Sequence, residues 1–231
     1  MLYKSTRSEN ETILSTEAVL NGLSKDGGLY VPKVMEKPFD WKSTVCKDFY
    51  GMAEDVFSYF LDDFDDIPAI VRRAYDGKFS EKEITPLKKV GDKYVLELFY
   101  GPTSAFKDVA LSALPVFMTE AEKKVGSGKD IMILTATSGD TGKAAMEGFK
   151  DVPGIRIIVF YPYGGVSPVQ EKQMSSQEGC NVKACAIRGN FDDAQTAVKQ
   201  IFSRVKKEGL PEELNTVLSS ANSINIGRLV P

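Results

Sequence analysis

The segment GPTSAFKD (residues 101–108) places a lysine in an unusual setting, because lysines normally lie on exposed faces. Lys107 follows a Gly-Pro-Thr turn and an aromatic residue, Phe106, and precedes an apolar run, VALSAL, that predicts a helix. A positive charge at a helix start opposes the helix dipole, and burial beside a ring disfavours the ammonium form. Both effects favour the neutral amine, which can attack a carbonyl group. Asp108 acts in the opposite direction, so an ordinary surface lysine stays an alternative.

The chain contains no histidine. This excludes nucleophile systems of the Ser-His-Asp and Cys-His types, metal sites with histidine ligands, and acid-base catalysis by imidazole. A base that works near neutral pH would have to be a lysine with a lowered pKa or a carboxylate with a raised one. Lys107 is the candidate that its surroundings favour.

A second motif, TSGDTG (residues 137–142), lies between an apolar run typical of a strand and a predicted helix. In a parallel sheet, ligands bind at such turns. Ser138 and Thr141 offer hydroxyl groups, while Gly139 and Gly142 allow a ligand to approach the backbone closely. The free amides at a helix start bind anions. The alternative is a capped turn without a ligand.

A third turn, in SSANSINIGR (residues 219–228), has Asn222, Ser223 and Asn225 after a predicted strand. These side chains either line the same site or cap a helix. RGNFDD (residues 188–193) is interpreted as a turn and helix cap. An acidic cluster around residues 62–66 could hold a metal ion, but the spacing of a calcium loop is absent. Helix initiation before Pro68 is therefore favoured.

The composition is that of a soluble globular protein, with 42% hydrophobic and 26% charged residues. A net charge of -3 without a basic block argues against nucleic acid as a partner. No apolar stretch is long enough for a signal peptide or a membrane span, so we expect no membrane partner. Three cysteines without CxxC spacing argue against a disulfide framework or a zinc site and favour reduced thiols in the cytoplasm.

Two regions are predicted: a mainly helical N-terminal region (residues 1–84) and an α/β catalytic region (residues 85–231). The second begins with a hairpin through ELFY, whose turn is Gly91-Asp92, and continues with repeated units of apolar run, polar loop and helix. Such units build a parallel sheet. The sequence ends at Pro231, just after a predicted helix begins, and we expect it to be a truncated part of a longer protein.

Taken in order, the motifs resemble those of threonine synthase, a pyridoxal-phosphate enzyme of fold type II. The resemblance covers nearly the whole chain and is carried by KSTRSE, LSKDGGLYVP, ELFYGPTSAFKD, ILTATSGDTGKAA, SPVQEKQM and LSSANSINIGRL. It implies an α/β fold whose C-terminal part is missing here. It also implies conversion of O-phosphohomoserine and water into threonine and phosphate.

The same resemblance assigns residues. Lys107 would hold pyridoxal 5'-phosphate as a Schiff base and then move protons on the substrate. Phe106, Asp140 and Asn222 would contact the cofactor. The substrate would be bound by the loop and the later turn, through Ser138, Gly139, Thr141, Gly142, Ser223 and Asn225. Asp140 is the least expected member, because a carboxylate there repels a substrate carboxylate; it would face the cofactor or be protonated.

Three interpretations of the whole protein stay open. The first is a threonine synthase, and the second is a related phospho-lyase that ends in a 2-keto acid. The third is a non-catalytic, threonine-synthase-like binding fragment. The glycine-rich loop that holds the cofactor phosphate in the family lies beyond the matched motifs. We therefore expect the 231-residue chain alone to bind cofactor weakly and to be inactive. Loss of a sheet partner would expose apolar surface and promote self-association.

Overall fold

A computed structural model describes the chain from residue 1 to residue 231, apart from the side chains at positions 206, 210, 212 and 222–225. The strands are β1 Leu2–Ser5, β2 Thr12–Leu14, β3 Tyr30–Pro32, β4 Leu87–Val90, β5 Lys93–Leu96, β6 Asp130–Ala136, β7 Ile155–Pro162, β8 Val182–Ile187 and β9 Thr216–Ser219. The helices are α1 Ser15–Asn21, α2 Trp41–Thr44, α3 Phe49–Phe60, α4 Ile67–Tyr75, α5 Asp108–Val125, α6 Asp140–Phe149, α7 Pro168–Ser175, α8 Phe191–Lys207 and α9 Leu210–Glu213, with a 3-10 helix at Ala221–Arg228.

The N-terminal region contains a small sheet that the sequence does not predict. Strand β1 lies between β2 and β3, and both pairings are antiparallel. Helix α1 also ends earlier than its sequence suggests, at Gly22 and not at Gly27-Gly28. Gly22 has a φ of 65°, and a side chain there would meet the Ser220 amide at 2.7 Å. Only glycine accommodates both conditions without strain.

The acidic cluster initiates a helix, as the favoured interpretation predicted, and it also caps a second helix, which was not predicted. Asp66 accepts a hydrogen bond from the Ala69 amide (3.2 Å) at the start of α4. Asp63 reaches the start of α1, where its carboxylate accepts from the Thr16 amide (3.1 Å) and hydroxyl (2.7 Å). No group of acidic or cysteine side chains in the described part of the chain could hold a metal ion.

The hairpin predicted after Thr85 is present, with its turn at Gly91-Asp92. Its second strand is shorter than predicted, since β5 ends at Leu96 and residues 97–100 are irregular. The reason is that the chain turns away to a different partner: the Tyr100 carbonyl accepts a hydrogen bond from the Ser80 amide (3.0 Å). This detour brings the segment 101–108 to the start of α5.

The repeated units form the predicted parallel sheet, in the order β8-β7-β6-β9. All three pairings are parallel. The carboxyl ends of β6, β7 and β9 therefore lie at one edge, where each strand leads into a turn. Helices α6, α7 and α8 and the 3-10 helix begin at or just after those turns, so the motif loops converge.

Helix α5 lies at the centre of the core. Its Leu114, Phe117 and Met118 are buried in one continuous cluster that includes Phe57 from the N-terminal region and Ile133 from the sheet. The core thus extends across residue 84, and the division of the chain into two domains stays a prediction.

Pro115 inside α5 explains how close α6 can come. A proline has no N–H, so the Leu111 carbonyl lacks its usual helical partner. Gly148 of α6 lies directly against that carbonyl, because a side chain at 148 would approach the Leu111 oxygen to 2.3 Å. This contact sets the two helices side by side, with the last turn of α6 against the first turn of α5.

Two further findings concern the classes of protein considered from the sequence. Among the helices described, none combines the length and apolar character that a membrane crossing requires. Cys46, Cys180 and Cys185 are all exposed free thiols.

Candidate active site

The loop that presents Lys107 is organised by its neighbour, Asp108. The Asp108 carboxylate accepts hydrogen bonds from the Thr103 amide (2.8 Å), the Thr103 hydroxyl (2.5 Å) and the Ala105 amide (3.4 Å). Gly101 leaves room for it, since a side chain at 101 would lie 2.4 Å from the Asp108 Cβ. Burial raises the pKa of the Asp108 carboxyl, and the hydrogen bonds from Thr103 and Ala105 oppose that shift.

Lys107 occupies the cap position of α5, as the sequence predicts. Its Nζ lies 4.0 Å from the centroid of the Phe106 ring, and the side chain is half-buried. Burial lowers the pKa of Lys107; Asp140 raises it, and Arg228 lowers it further. Within the part of the chain whose side chains are described, Lys107 forms no salt bridge.

Thr137 organises the second loop. Its hydroxyl oxygen accepts hydrogen bonds from the amides of Gly139 (3.1 Å) and Gly142 (2.9 Å), and the hydroxyl donates to the Gly139 carbonyl (3.0 Å). The predicted helix, α6, begins at Asp140, within the motif itself. The amides of Asp140 and Thr141 have no acceptor among the described residues.

The two glycines of this loop are required by contacts within the protein. A side chain at Gly142 would meet Thr137, Val159 and Met174 at 2.5 to 2.9 Å. Gly142 therefore lets α6 pack closely on the sheet. At Gly139, a side chain would meet the amide group of Gln170 at 2.5 to 2.7 Å.

Asp140 lies within reach of two functional groups. Its carboxylate accepts a hydrogen bond from Gln170 Nε2 (2.7 Å), and its charge acts on Lys107. Ser138 is exposed and Thr141 is half-buried at the same helix start. The fold thus brings Asp140 of the predicted loop close enough to Lys107 for its charge to act on the amine.

The 3-10 helix also reaches the residues beside Lys107. Arg228 Cζ lies 5.8 Å from the centroid of the Phe106 ring, on which Lys107 also packs. Gly227 lies against α5, where a side chain would approach the Ala110 Cα to 3.0 Å. The predicted site residues Asn222, Ser223 and Asn225 lie outside the residues whose side chains the structure describes.

The loop at residues 188–193 has the predicted role of a cap. Asp193 donates its amide hydrogen to Asn190 Oδ1 (3.0 Å), and the Asn190 amide donates to Asp193 Oδ2 (2.8 Å). Helix α8 begins between them, at Phe191.

Four residues that shape the site were not singled out from the sequence. They are Thr137, Asp108 in its role as loop organiser, Gln170 and Arg228. Thr137 could have been found, because a threonine before a glycine-containing helix start often binds the backbone of its own turn. Gln170 and Arg228 reach the site from distant segments, so local patterns carry no signal for them.

Comparison with known proteins agrees with this geometry. The family described as Threonine synthase N terminus matches residues 2–75. Threonine synthase of Eremothecium gossypii is 36% identical over 99% of this chain and 47% of its own length. Threonine synthase-like 1 of Homo sapiens is 38% identical over 94% of this chain and 31% of its own length. The chain thus spans less than half the length of these relatives.

A solved structure gives the same result for the fold. The crystal structure of threonine synthase from Brucella melitensis, solved with pyridoxal phosphate bound, superimposes with a TM-score of 0.81 at 38% identity. The match covers 99% of this chain and 49% of that protein. The fold is therefore that of the pyridoxal-phosphate enzymes of fold type II. Within that class the chain belongs with the threonine synthases and corresponds to their N-terminal portion.

Proposed function

We propose that this chain supplies the cofactor lysine and the substrate loop of an enzyme that converts O-phosphohomoserine and water into L-threonine and phosphate. The observation that carries the proposal is the position of Lys107. It is a half-buried amine at a helix start, its pKa is lowered by burial, and it faces the loop of residues 138–142. The relatives named above support the family of reactions to which this one belongs.

The surroundings of Lys107 fit pyridoxal phosphate. The amine is available, because no described carboxylate forms a salt bridge with it, and the lowered pKa increases the neutral fraction that binds an aldehyde. Phe106 provides an apolar surface beside it. We assign the binding of the cofactor to Lys107, with contacts from Phe106, Asp140 and Asn222. When bound, pyridoxal phosphate withdraws electrons and so stabilises negative charge on substrate carbon atoms.

The substrate carboxylate is assigned to the start of α6. Two backbone amides there, those of Asp140 and Thr141, have no described acceptor, and a helix start favours an anion. The hydroxyl groups of Ser138 and Thr141 and the backbone of Gly139 and Gly142 complete this loop. Ser223 and Asn225 are assigned to substrate binding because their motif resembles that of the family. The carboxylate of Asp140 is engaged by Gln170, which holds its negative charge at the rim.

Proton transfer is the task of Lys107. Its neutral Nζ takes a proton from the substrate Cα and, once it has given that proton up, a second one from Cβ as the γ-phosphate leaves. Two protons return to the substrate, one at Cγ and one at Cα, and water supplies the hydroxyl group at Cβ. A lysine can serve as this base because its lowered pKa leaves more of the neutral form near neutral pH. This role also agrees with the absence of histidine from the sequence.

A phospho-lyase that gives a 2-keto acid is the second candidate. The chain is about as similar to threonine synthase-like 1 (38% identity) as to a threonine synthase (36%), so the likeness alone does not select threonine as the product. Both reactions need the same lysine and the same loop. They differ in how the substrate is protonated and hydrated after phosphate has left.

The first experiment tests the lysine. The protein expressed from its complete reading frame is incubated with pyridoxal phosphate, reduced with borohydride and mapped by peptide mass spectrometry. We expect the label on Lys107 and its loss in Lys107→Ala. The matched control is Lys78, a more exposed lysine whose pKa is likewise lowered by desolvation and which hydrogen-bonds to the Ser112 carbonyl (3.4 Å) away from the loop. If Lys78 were labelled as strongly as Lys107, Lys107 would not be a specific binding site for the cofactor.

The second experiment identifies the reaction. The protein expressed from its complete reading frame is given pyridoxal phosphate and O-phosphohomoserine, and its products are analysed. Threonine and phosphate in equal amounts are expected. A 2-keto acid without threonine would replace the first candidate by the second. If neither threonine nor a 2-keto acid forms while Lys107 is still labelled, the protein binds the cofactor but does not catalyse either reaction.

A further inference from the structure

Gln170 connects the starts of two helices through a single side-chain amide. Its Nε2 donates to Asp140 Oδ1 (2.7 Å) at the start of α6, while its Oε1 accepts from the Ser167 amide (3.3 Å) at the start of its own helix, α7. The Ser167 hydroxyl in turn accepts from the Gln170 amide (3.2 Å), which completes a capping box. Both ends of the Gln170 side chain are therefore engaged.

The same side chain also contacts the loop backbone. Gly139 lies so close that a side chain there would meet the Gln170 amide at 2.5 to 2.7 Å. Thr137 holds Gly139 through hydrogen bonds to its amide and carbonyl. The segment between Thr137 and Asp140 is thus fixed by Thr137 on one side and by Gln170 on the other.

Asp140 depends on Gln170 for its orientation. The side chain of Asp140 is exposed, and Gln170 is its one hydrogen-bond partner among the residues with described side chains. The charged groups that act on Lys107 in the same part of the chain are Asp140 from α6 and Arg228 from the 3-10 helix. A change in the position of the Asp140 carboxylate therefore changes the balance of charge at the Lys107 amine.

We propose that Gln170 is a positioning residue of this site: its amide fixes the Asp140 carboxylate and the Gly139 backbone relative to Lys107. The inference rests on the proposed function, because it gives the fixed loop a purpose. An uncontrolled carboxylate at this helix start would repel a substrate carboxylate and would hold Lys107 in its charged form. Gln170 directs that carboxylate toward α7.

The test measures Lys107 without turnover. Reductive methylation with formaldehyde and cyanoborohydride follows the neutral amine, so its pH midpoint at the Lys107 peptide reports the charge state of that lysine. Gln170→Glu keeps an acceptor for the Ser167 amide but places a second carboxylate beside Asp140. We expect its midpoint to rise by about half a pH unit, as a unit charge at this range gives in a largely solvated site.

The matched control is Gln173→Glu, which makes the same charge change one turn further along α7. Its midpoint should shift by less than half as much. Equal shifts in the two variants would overturn the inference, since they would show a general charge effect. Thermal unfolding checks that both variants fold.

A double-mutant cycle provides the second measurement and holds even if Gln170→Glu fails to fold. Gln170→Met removes the donor without adding charge. It should change the Lys107 midpoint in the wild-type background and have no effect in an Asp140→Asn background, because Gln170 acts through Asp140. An equal effect in both backgrounds would overturn the inference. If Lys107 is not labelled by pyridoxal phosphate, the proposed function fails, whereas labelled Lys107 with an insensitive midpoint refutes the role of Gln170 alone.

Discussion

Asp108 accepts two hydrogen bonds from Thr103, one from the amide at 2.8 Å and one from the hydroxyl at 2.5 Å. In Asp108→Asn the side-chain oxygen can still accept from the Thr103 and Ala105 amides, while the NH₂ group faces the Thr103 hydroxyl, which must turn to accept. We expect a loss of about 1 kcal/mol in the free energy of unfolding, because hydrogen bonds to a charged acceptor are stronger than neutral ones by about that amount. Urea denaturation measures it.

The loop with Lys107 should lose its order in the same variant. We expect labelling of Lys107 by pyridoxal phosphate to fall in Asp108→Asn, while labelling of the exposed lysines is unchanged. A variant as stable as the wild type, with full labelling at Lys107, would show that the hydrogen bonds of Asp108 do not organise the loop.

Lys78 gives a prediction about pH. Burial lowers its pKa in the folded state, so the charged form is disfavoured there relative to the unfolded chain. This penalty is present below the lowered pKa and disappears as pH rises through that pKa toward the ordinary lysine value. Lys78→Met should therefore raise stability at neutral pH, by no more than about 1 kcal/mol because the side chain is partly solvated.

The gain in Lys78→Met should shrink when unfolding is measured at increasing alkaline pH. A gain that is constant with pH would mean that better apolar packing, and not the charge of Lys78, is responsible. Lys78→Arg is the matched control, since it keeps a charge that does not titrate in this range.

The elements after residue 85 could be predicted because each unit has a strong local pattern. Apolar runs rich in Ile and Val, each followed by a turn that contains glycine, predict strands at the positions where the structure has β6 and β7. The small sheet at the N-terminus has no such pattern. Its strands are three or four residues long, and Tyr3 pairs with Ile13 on one side and Pro32 on the other. Those pairings form only in the folded chain.

The residues of the site also fall into two groups, those that a local sequence pattern predicts and those that it does not. Lys107 and the loop of residues 138–142 lie in continuous motifs, so the sequence located them. The contact between Gln170 and Asp140 joins residues 30 positions apart, and it exists because α6 and α7 begin at the same edge of the sheet. The structure also explains one glycine differently. From the sequence, Gly142 was expected to let a ligand approach the backbone, but the space beside it is filled by Val159 and Met174 of the protein itself.

Gly142→Ala tests that explanation. The new methyl group would lie 2.5 Å from the Thr137 Cγ2 and 2.9 Å from the Val159 Cγ1, both in the protein interior. Overpacking of this kind costs about 1–3 kcal/mol. The control is Gly51→Ala in α3, where the nearest atoms belong to the Lys47 side chain and the helix gains from alanine. Chemical denaturation should show a clear loss for the first variant and a change within about 1 kcal/mol for the second.

Contrary to the expectation from the sequence, Phe106 should stabilise the charged form of Lys107, because the Nζ lies 4.0 Å from the ring centroid and a ring face attracts a cation. Phe106→Leu keeps an apolar side chain beside the amine and removes this attraction. The pKa of Lys107 should fall further, which would move the pH midpoint of its reductive methylation down by about 0.4 units for a contact of about 0.5 kcal/mol. Phe106→Tyr retains the ring face and should leave the midpoint near the wild-type value. A rise in the midpoint of Phe106→Leu, or equal shifts in both variants, would show that the ring acts on Lys107 only by excluding water.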